Sequence, residues 1–132
     1  GGVMSYEAWG EPEEGRFDAA IEAGWLDPTD LSRAVIDVMS ERDRQWNEEG
    51  FRAEHDDAHV NGELAGAAAA YAVLRSHVPP EVVMGWDFLE QLWPWSPDWW
   101  KPKDRRRDLV RAAALLIAEI ERLDRAAGGE TP

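Results

Sequence analysis

Residues 62–74 read GELAGAAAAYAVL. Six of these thirteen residues are alanine, the residue with the best helix propensity, and the stretch lacks the β-branched alternation a strand needs. Leu64, Ala67 and Tyr71 recur at helical spacing, and small alanine side chains let a second helix approach closely. The overlapping stretch 54-EHDDAHVNGELA-65 places acids in what should be the first turn, where they complement the helix dipole. One helix over about 54–75 is therefore predicted, ended before Pro79-Pro80.

Upstream, Pro28-Thr29-Asp30 looks like a helix start. Leu31, Val35, Val38, Met39 and Trp46 then keep roughly helical spacing, and Gly50 is a stop. This predicts a helix over about 30–48, with Trp46 in the core and a short link at 51–53. Downstream, residues 81–91 suit a short helix. The stretch 93-WPWSPDWWKPK-103 has three prolines and four tryptophans and reads as an ordered aromatic loop. A third long helix is predicted from Lys103 or Asp104 to about Arg125, closed by Gly128-Gly129. Leu109, Ala113, Leu116, Ile120 and Leu123 form its expected buried stripe. The predicted fold is all-α, a bundle of three principal helices. An arm over 1–28, with a short helix near 17–23, precedes a domain over 29–127, and 128–132 is a tail.

The 132 residues carry a net charge of −13, which argues against non-specific coating of nucleic acid or anionic membrane. No cysteine is present, so disulfides, thiol nucleophiles and thiolate zinc sites are excluded. No apolar run approaches ~20 residues, and no signal-peptide pattern opens the sequence; a cytoplasmic setting is expected. The core is modest for a chain with eight tryptophans, which suggests oligomerisation.

If 54–75 is one helix, Asp56, His59 and Glu63 lie within roughly 60° of each other. Asp104 and Asp108 share a face of the third helix in the same i, i+4 relation as His59 and Glu63. Packed together, the two helices would converge these pairs on a cation, since like charges at short range repel. Oxygen-rich ligands favour Mg²⁺ or Mn²⁺. Acids at helix N-termini are also ordinary dipole partners, and the pattern alone leaves both readings open. Within 101-KPKDRRRD-108 stand five cations suited to phosphate, or to a solvated face, with Arg106 expected to be merely exposed. In 41-ERDRQW-46, Gln45 and Arg44 suit a base edge. Several tryptophans of the loop are expected to plug the core, and one to border a pocket.

Two motifs carry a resemblance. GELA at 62–65 and 108-DLVRAAALLIAEI-120 resemble the two acidic motifs of the MazG-like all-α nucleotide pyrophosphohydrolases. The strings ERDRQ, EHDDAHVNGELA and WWKPKDRRRDLVRA look like the phage dATP/dGTP diphosphohydrolase (MazZ) subgroup, over roughly 41–65 and 93–125. The sequence departs from the family's ExxE and ExxD: Val60 and Arg105 stand at minus three, while His59 and Asp104 stand at minus four.

The resemblance implies cleavage of dGTP, with dATP a second substrate, to the monophosphate and pyrophosphate. In such a phage the dGMP would feed 2-aminoadenine nucleotide synthesis. It implies two or more Mg²⁺ or Mn²⁺ ions held by Glu63, Asp108, Asp104, His59 and Asp56. Glu54 or Asp57 would be an added ligand or a base toward water. Lys101, Lys103 and Arg107 would bind pyrophosphate, and Glu41, Arg44 and Gln45 would lie nearer the nucleoside. Homodimers or homotetramers are implied. The rival reading is a non-enzymatic acidic interaction or inhibitor protein.

Overall fold

The computed structural model describes residues 16–48, 53–83 and 86–130. The expected stop at Gly50 and most of the 51–53 link lie outside these residues, as does the first part of the arm. Helix α1 is Arg16–Glu22. A 3-10 turn at Pro28–Asp30 follows, its Thr29 N–H accepted by the Asp27 carboxylate. Helix α2 is Arg33–Asn47, α3 Ala53–Asp57, α4 Glu63–Val73, α5 Pro80–Val83 and α6 Trp86–Leu92. A second 3-10 turn spans Pro97–Trp99, and α7 is Arg105–Glu130. Among the described residues the fold is all-α, with no strand.

Three differences from the expected elements matter. Pro28-Thr29-Asp30 makes a separate turn, and α2 starts later because Ser32 Oγ accepts the Val35 N–H and so caps it. The single helix over 54–75 is two helices. Gly62 sits at φ +85, a left-handed conformation that glycine adopts at little cost, and the chain turns there between α3 and α4. The third helix does not stop at Gly128-Gly129 but continues to Glu130.

Helix α7 is the spine, with α4 and α2 packed along it. Helix α4 buries Leu64, Ala67, Ala68, Ala70 and Tyr71. Helix α7 answers with Ala112, Leu115 and Ala118, while its Val110 and Ala114 are buried outside that cluster. The interface is alanine against alanine, and its close approach explains a correction to the expected stripe. Leu109, Leu116, Ile120 and Leu123 are exposed, at 39%, 45%, 56% and 51%. The narrow faces pack together, which leaves the bulky stripe outside. Trp46 is buried, as expected.

The aromatic loop closes one side of this core. Trp93 is buried; Tyr71, Trp95 and Trp100 surround it with ring centroids 5.5, 5.2 and 4.9 Å away. Gly66 admits the loop's approach: a Cβ there would stand 2.6 Å from the Leu92 carbonyl oxygen at the end of α6.

Candidate functional site

Helices α4 and α7 run antiparallel. Arg75, just past α4, bonds Asp108 at the start of α7, while Glu63 at the start of α4 lies near Arg122, far along α7. The helix between them has eleven residues, roughly 16 Å at the α-helical rise. The expected pairs, His59/Glu63 and Asp104/Asp108, are thus at opposite ends of the helix pair. The break at Gly62 also removes the shared helical face on which Asp56, His59 and Glu63 were placed.

Each of these acids has local partners. Asp108 is 1% exposed; its Oδ2 accepts from Arg75 Nη1 at 2.9 Å and its Oδ1 from the Lys103 N–H at 2.9 Å. Asp104 accepts the Arg107 N–H at 2.9 Å and caps α7. Glu63 accepts the Asn61 N–H at 2.7 Å, and backbone amides hold its carboxyl below the usual range. Asp57 takes two bonds from Arg125, at 2.8 and 3.1 Å, and Glu54 is exposed.

Asp56, fully buried, lies 3.2 Å from Arg42 Nη2, which also reaches Glu121 at 3.0 Å. Burial pushes the Asp56 carboxyl up, against the pull of His55 and Arg42. From Asp56 a chain of side chains leads to Glu63. Asp56 Oδ1 is 3.1 Å from His55 Nδ1, the two Nε2 atoms of His55 and His59 are 3.3 Å apart, and His59 Nδ1 is 3.7 Å from Glu63 Oε2. Among the described residues no three acids or histidines are gathered so as to hold a metal ion. The carboxylates implied as ligands do not fit such an ion in this arrangement, because they are engaged by guanidinium, imidazole or amide donors.

The residues expected near the nucleoside do come together. Glu41 is buried on α2 and takes both Nε and Nη2 of Arg44, at 2.9 and 2.8 Å. Gln45 Nε2 donates to the same carboxylate at 3.1 Å, and Arg107 Nη2 lies 2.8 Å from it. Burial pushes the Glu41 carboxyl up, but Arg44, Arg107 and Gln45 outweigh it and hold the group below the usual glutamate range.

Two clefts meet at Glu41 and Arg44. One, of about 420 Å³, is also lined by Asp37, Asp104, Arg106 and Arg107. The other, of about 720 Å³, is lined by Gln45, His55, Trp95, Trp99, Lys101 and Arg111, among others. The second is within the size range of small-molecule sites, roughly 300–1,000 Å³. Lys101 and Arg107 of the basic tract thus face clefts. Lys103 is engaged through its backbone, donating to Asp108 and accepting from Arg75. Arg106 is more than half exposed and pairs with Asp37 at 2.8 Å.

The sequence reading missed Arg111. It stands one turn beyond Arg107 on the same helix face, so the basic tract could have been followed through 111. Its Nη1 bonds the Lys101 carbonyl, and its guanidinium lies 5.6 Å from the Tyr71 ring centroid. Burial raises the Tyr71 hydroxyl above its usual value, with Arg111 pulling the other way. No protein-family model matches the chain, and neither a curated protein nor a solved structure does. No described helix is long and apolar enough to cross a membrane.

Proposed function

We propose that the chain binds a purine deoxynucleoside triphosphate, dGTP or dATP, across the two joined clefts and hydrolyses it between the α and β phosphates. The monophosphate and pyrophosphate are the products, and in a phage the dGMP would serve 2-aminoadenine nucleotide synthesis. The observation that supports nucleotide binding is the junction itself. An aromatic cleft with Trp95 and Trp99 opens beside a cleft bearing Arg106 and Arg107, with Glu41 and Arg44 common to both. Aromatic faces stack on bases, and guanidinium groups pair with phosphate oxygens. Lys101 adds a cation to the aromatic cleft, and Glu41 positions Arg44, Gln45 and Arg107.

The reaction and its Mg²⁺ or Mn²⁺ requirement rest on the resemblance of the acidic motifs. The described carboxylates are not gathered around an ion position. The chain's own part is to bind, orient and neutralise the triphosphate.

Self-association belongs to the same proposal. Leu109, Ala113, Leu116, Ile120, Leu123 and Ala127 follow alternating steps of four and three, the seam of a two-helix coiled coil. The four large residues of that seam are exposed on a 26-residue helix. A second copy of the chain, laid along α7, would cover it. The same stripe would serve the rival interaction module.

Turnover separates the readings. Each deoxynucleoside triphosphate is incubated with Mg²⁺ or Mn²⁺ and the products are identified. Pyrophosphate and monophosphate from the purine substrates, abolished by chelation, are expected. Orthophosphate with a diphosphate, or intact triphosphate with a nucleoside, would reject this chemistry. No turnover of any nucleotide would favour the interaction module.

A further inference from the structure

Gln45 is 3% exposed and lines the aromatic cleft, yet its Oε1 has no hydrogen-bond partner. The orientation of the amide is fixed by chemistry. Its other atom lies 3.1 Å from the Glu41 carboxylate, which only accepts, so that atom must be the NH₂ donor. Glu41 cannot turn away easily, since Arg44 and Arg107 hold both its oxygens. Gln45 Oε1 is therefore a buried acceptor that lacks a donor, on a residue of the cleft wall. Arg111 contributes the complement: its Nε–H is buried, also without a partner, and the residue lines the same cleft. A buried polar group left unpaired is destabilising, so a ligand that satisfies it is favoured.

We propose that Gln45 Oε1 and Arg111 Nε read one edge of a planar heterocycle, and that the cleft requires a ring bearing a hydrogen-bond donor, such as an exocyclic amino group, beside an acceptor. Resting on the nucleotide reading, this names the group that reading leaves open. Arg44 is not the reader, because its Nε and Nη2 are committed to Glu41. Adenine and guanine both carry donor and acceptor on one edge. Unsubstituted purine carries ring acceptors only and leaves Gln45 Oε1 unpaired.

The test is a binding titration followed by calorimetry, in chelator so that nothing turns over. dATP, dGTP and the triphosphate of unsubstituted purine deoxyriboside are compared on wild-type protein and on Gln45→Met, which keeps the volume and removes the acceptor. Wild type should bind the better of dATP and dGTP roughly tenfold or more tighter than the unsubstituted analogue. In Gln45→Met that advantage should fall to roughly twofold or less. Equal binding of all three by wild type overturns the proposal and leaves nucleotide binding standing. So does an equal weakening of all three in the variant, which would mark Gln45 as structural. If wild type binds none of them, the nucleotide reading itself fails, and this inference with it. The wild-type comparison decides even if the variant does not fold.

Discussion

Arg75 Nη1 lies 2.9 Å from Asp108 Oδ2, and this pair ties the end of α4 to the start of α7. Arg75 stands at φ +58, an uncommon conformation for a side-chain-bearing residue, and from there its Nη2 also reaches the Lys103 carbonyl. Asp108 is buried and its second oxygen takes the Lys103 N–H. In this arrangement the aspartate is a clamp. Asp108→Asn should lower unfolding free energy by about 1–3 kcal/mol, because a buried acceptor for two donors loses its charge. Arg75→Ala should cost at least as much, because it leaves the buried Asp108 carboxylate without its ion-pair partner. Denaturant melts with and without Mn²⁺ check this. An Asn variant as stable as wild type, whose only defect is lost activity, would make Asp108 a ligand instead.

Glu41 and Asp56 should oppose each other in the pH dependence of stability. The Glu41 carboxyl is held low in the folded chain, so the unfolded chain takes up its proton more readily as pH falls. Its contribution is full above the ordinary glutamate range and is lost as pH drops through and below it. Asp56 is raised by burial, so its ionisation weakens the fold as pH rises through the window just above the ordinary aspartate range. Glu41→Gln should therefore be less stable than wild type at neutral pH and lose less stability on acidification. Urea midpoints from neutral pH downward measure both. Parallel acid limbs would mean that Glu41 does not carry the difference.

How far the sequence could be read differs between backbone and site. The alanine run and the long apolar C-terminal segment were legible as helices because propensity and periodicity agree there. The break at Gly62 was signalled by Asn61-Gly62, a turn dipeptide that the acid-rich first turn overrode. The buried face of α7 was not legible by hydrophobicity. Ala112, Leu115 and Ala118 make a weaker stripe than Leu109, Leu116, Ile120 and Leu123, and the small size of the facing α4 residues selects it. Convergence of the acidic pairs needed a helix direction that i, i+4 spacing does not contain. By contrast, Glu41, Arg44 and Gln45 came together because residues three and four apart on one helix must share a face.

The exposed seam of α7 predicts a dimer. Covering a large aliphatic side chain contributes on the order of 1.5–3 kcal/mol before the cost of association. Leu116→Glu or Ile120→Glu places a charge in the middle of that seam. Each should leave the helical circular dichroism and thermal melt of the monomer nearly unchanged, since both positions are exposed within one chain. Sedimentation should show the mass falling from dimer to monomer. A wild-type chain that sediments as a monomer at micromolar concentration would remove self-association from the proposal.

Trp99 should matter for binding and not for folding. It sits at the end of the Pro97–Trp99 turn, 70% exposed, on the wall of the aromatic cleft. Trp93, by contrast, is buried against Tyr71 and Trp100 and belongs to the core. An indole held in the open at a cleft wall leaves apolar area uncovered, and a stacked ring would cover it. Stacking is indifferent to base identity, because every base offers a π face. Trp99→Ala should therefore change stability by less than about 0.5 kcal/mol. It should weaken dGTP and dATP binding by similar factors, about 1–3 kcal/mol each. Trp99→Phe should recover most of that loss. Calorimetric titration beside a thermal melt distinguishes the roles. A variant that unfolds early yet binds normally would assign Trp99 to the scaffold, and a loss confined to one base would assign it to edge recognition rather than stacking.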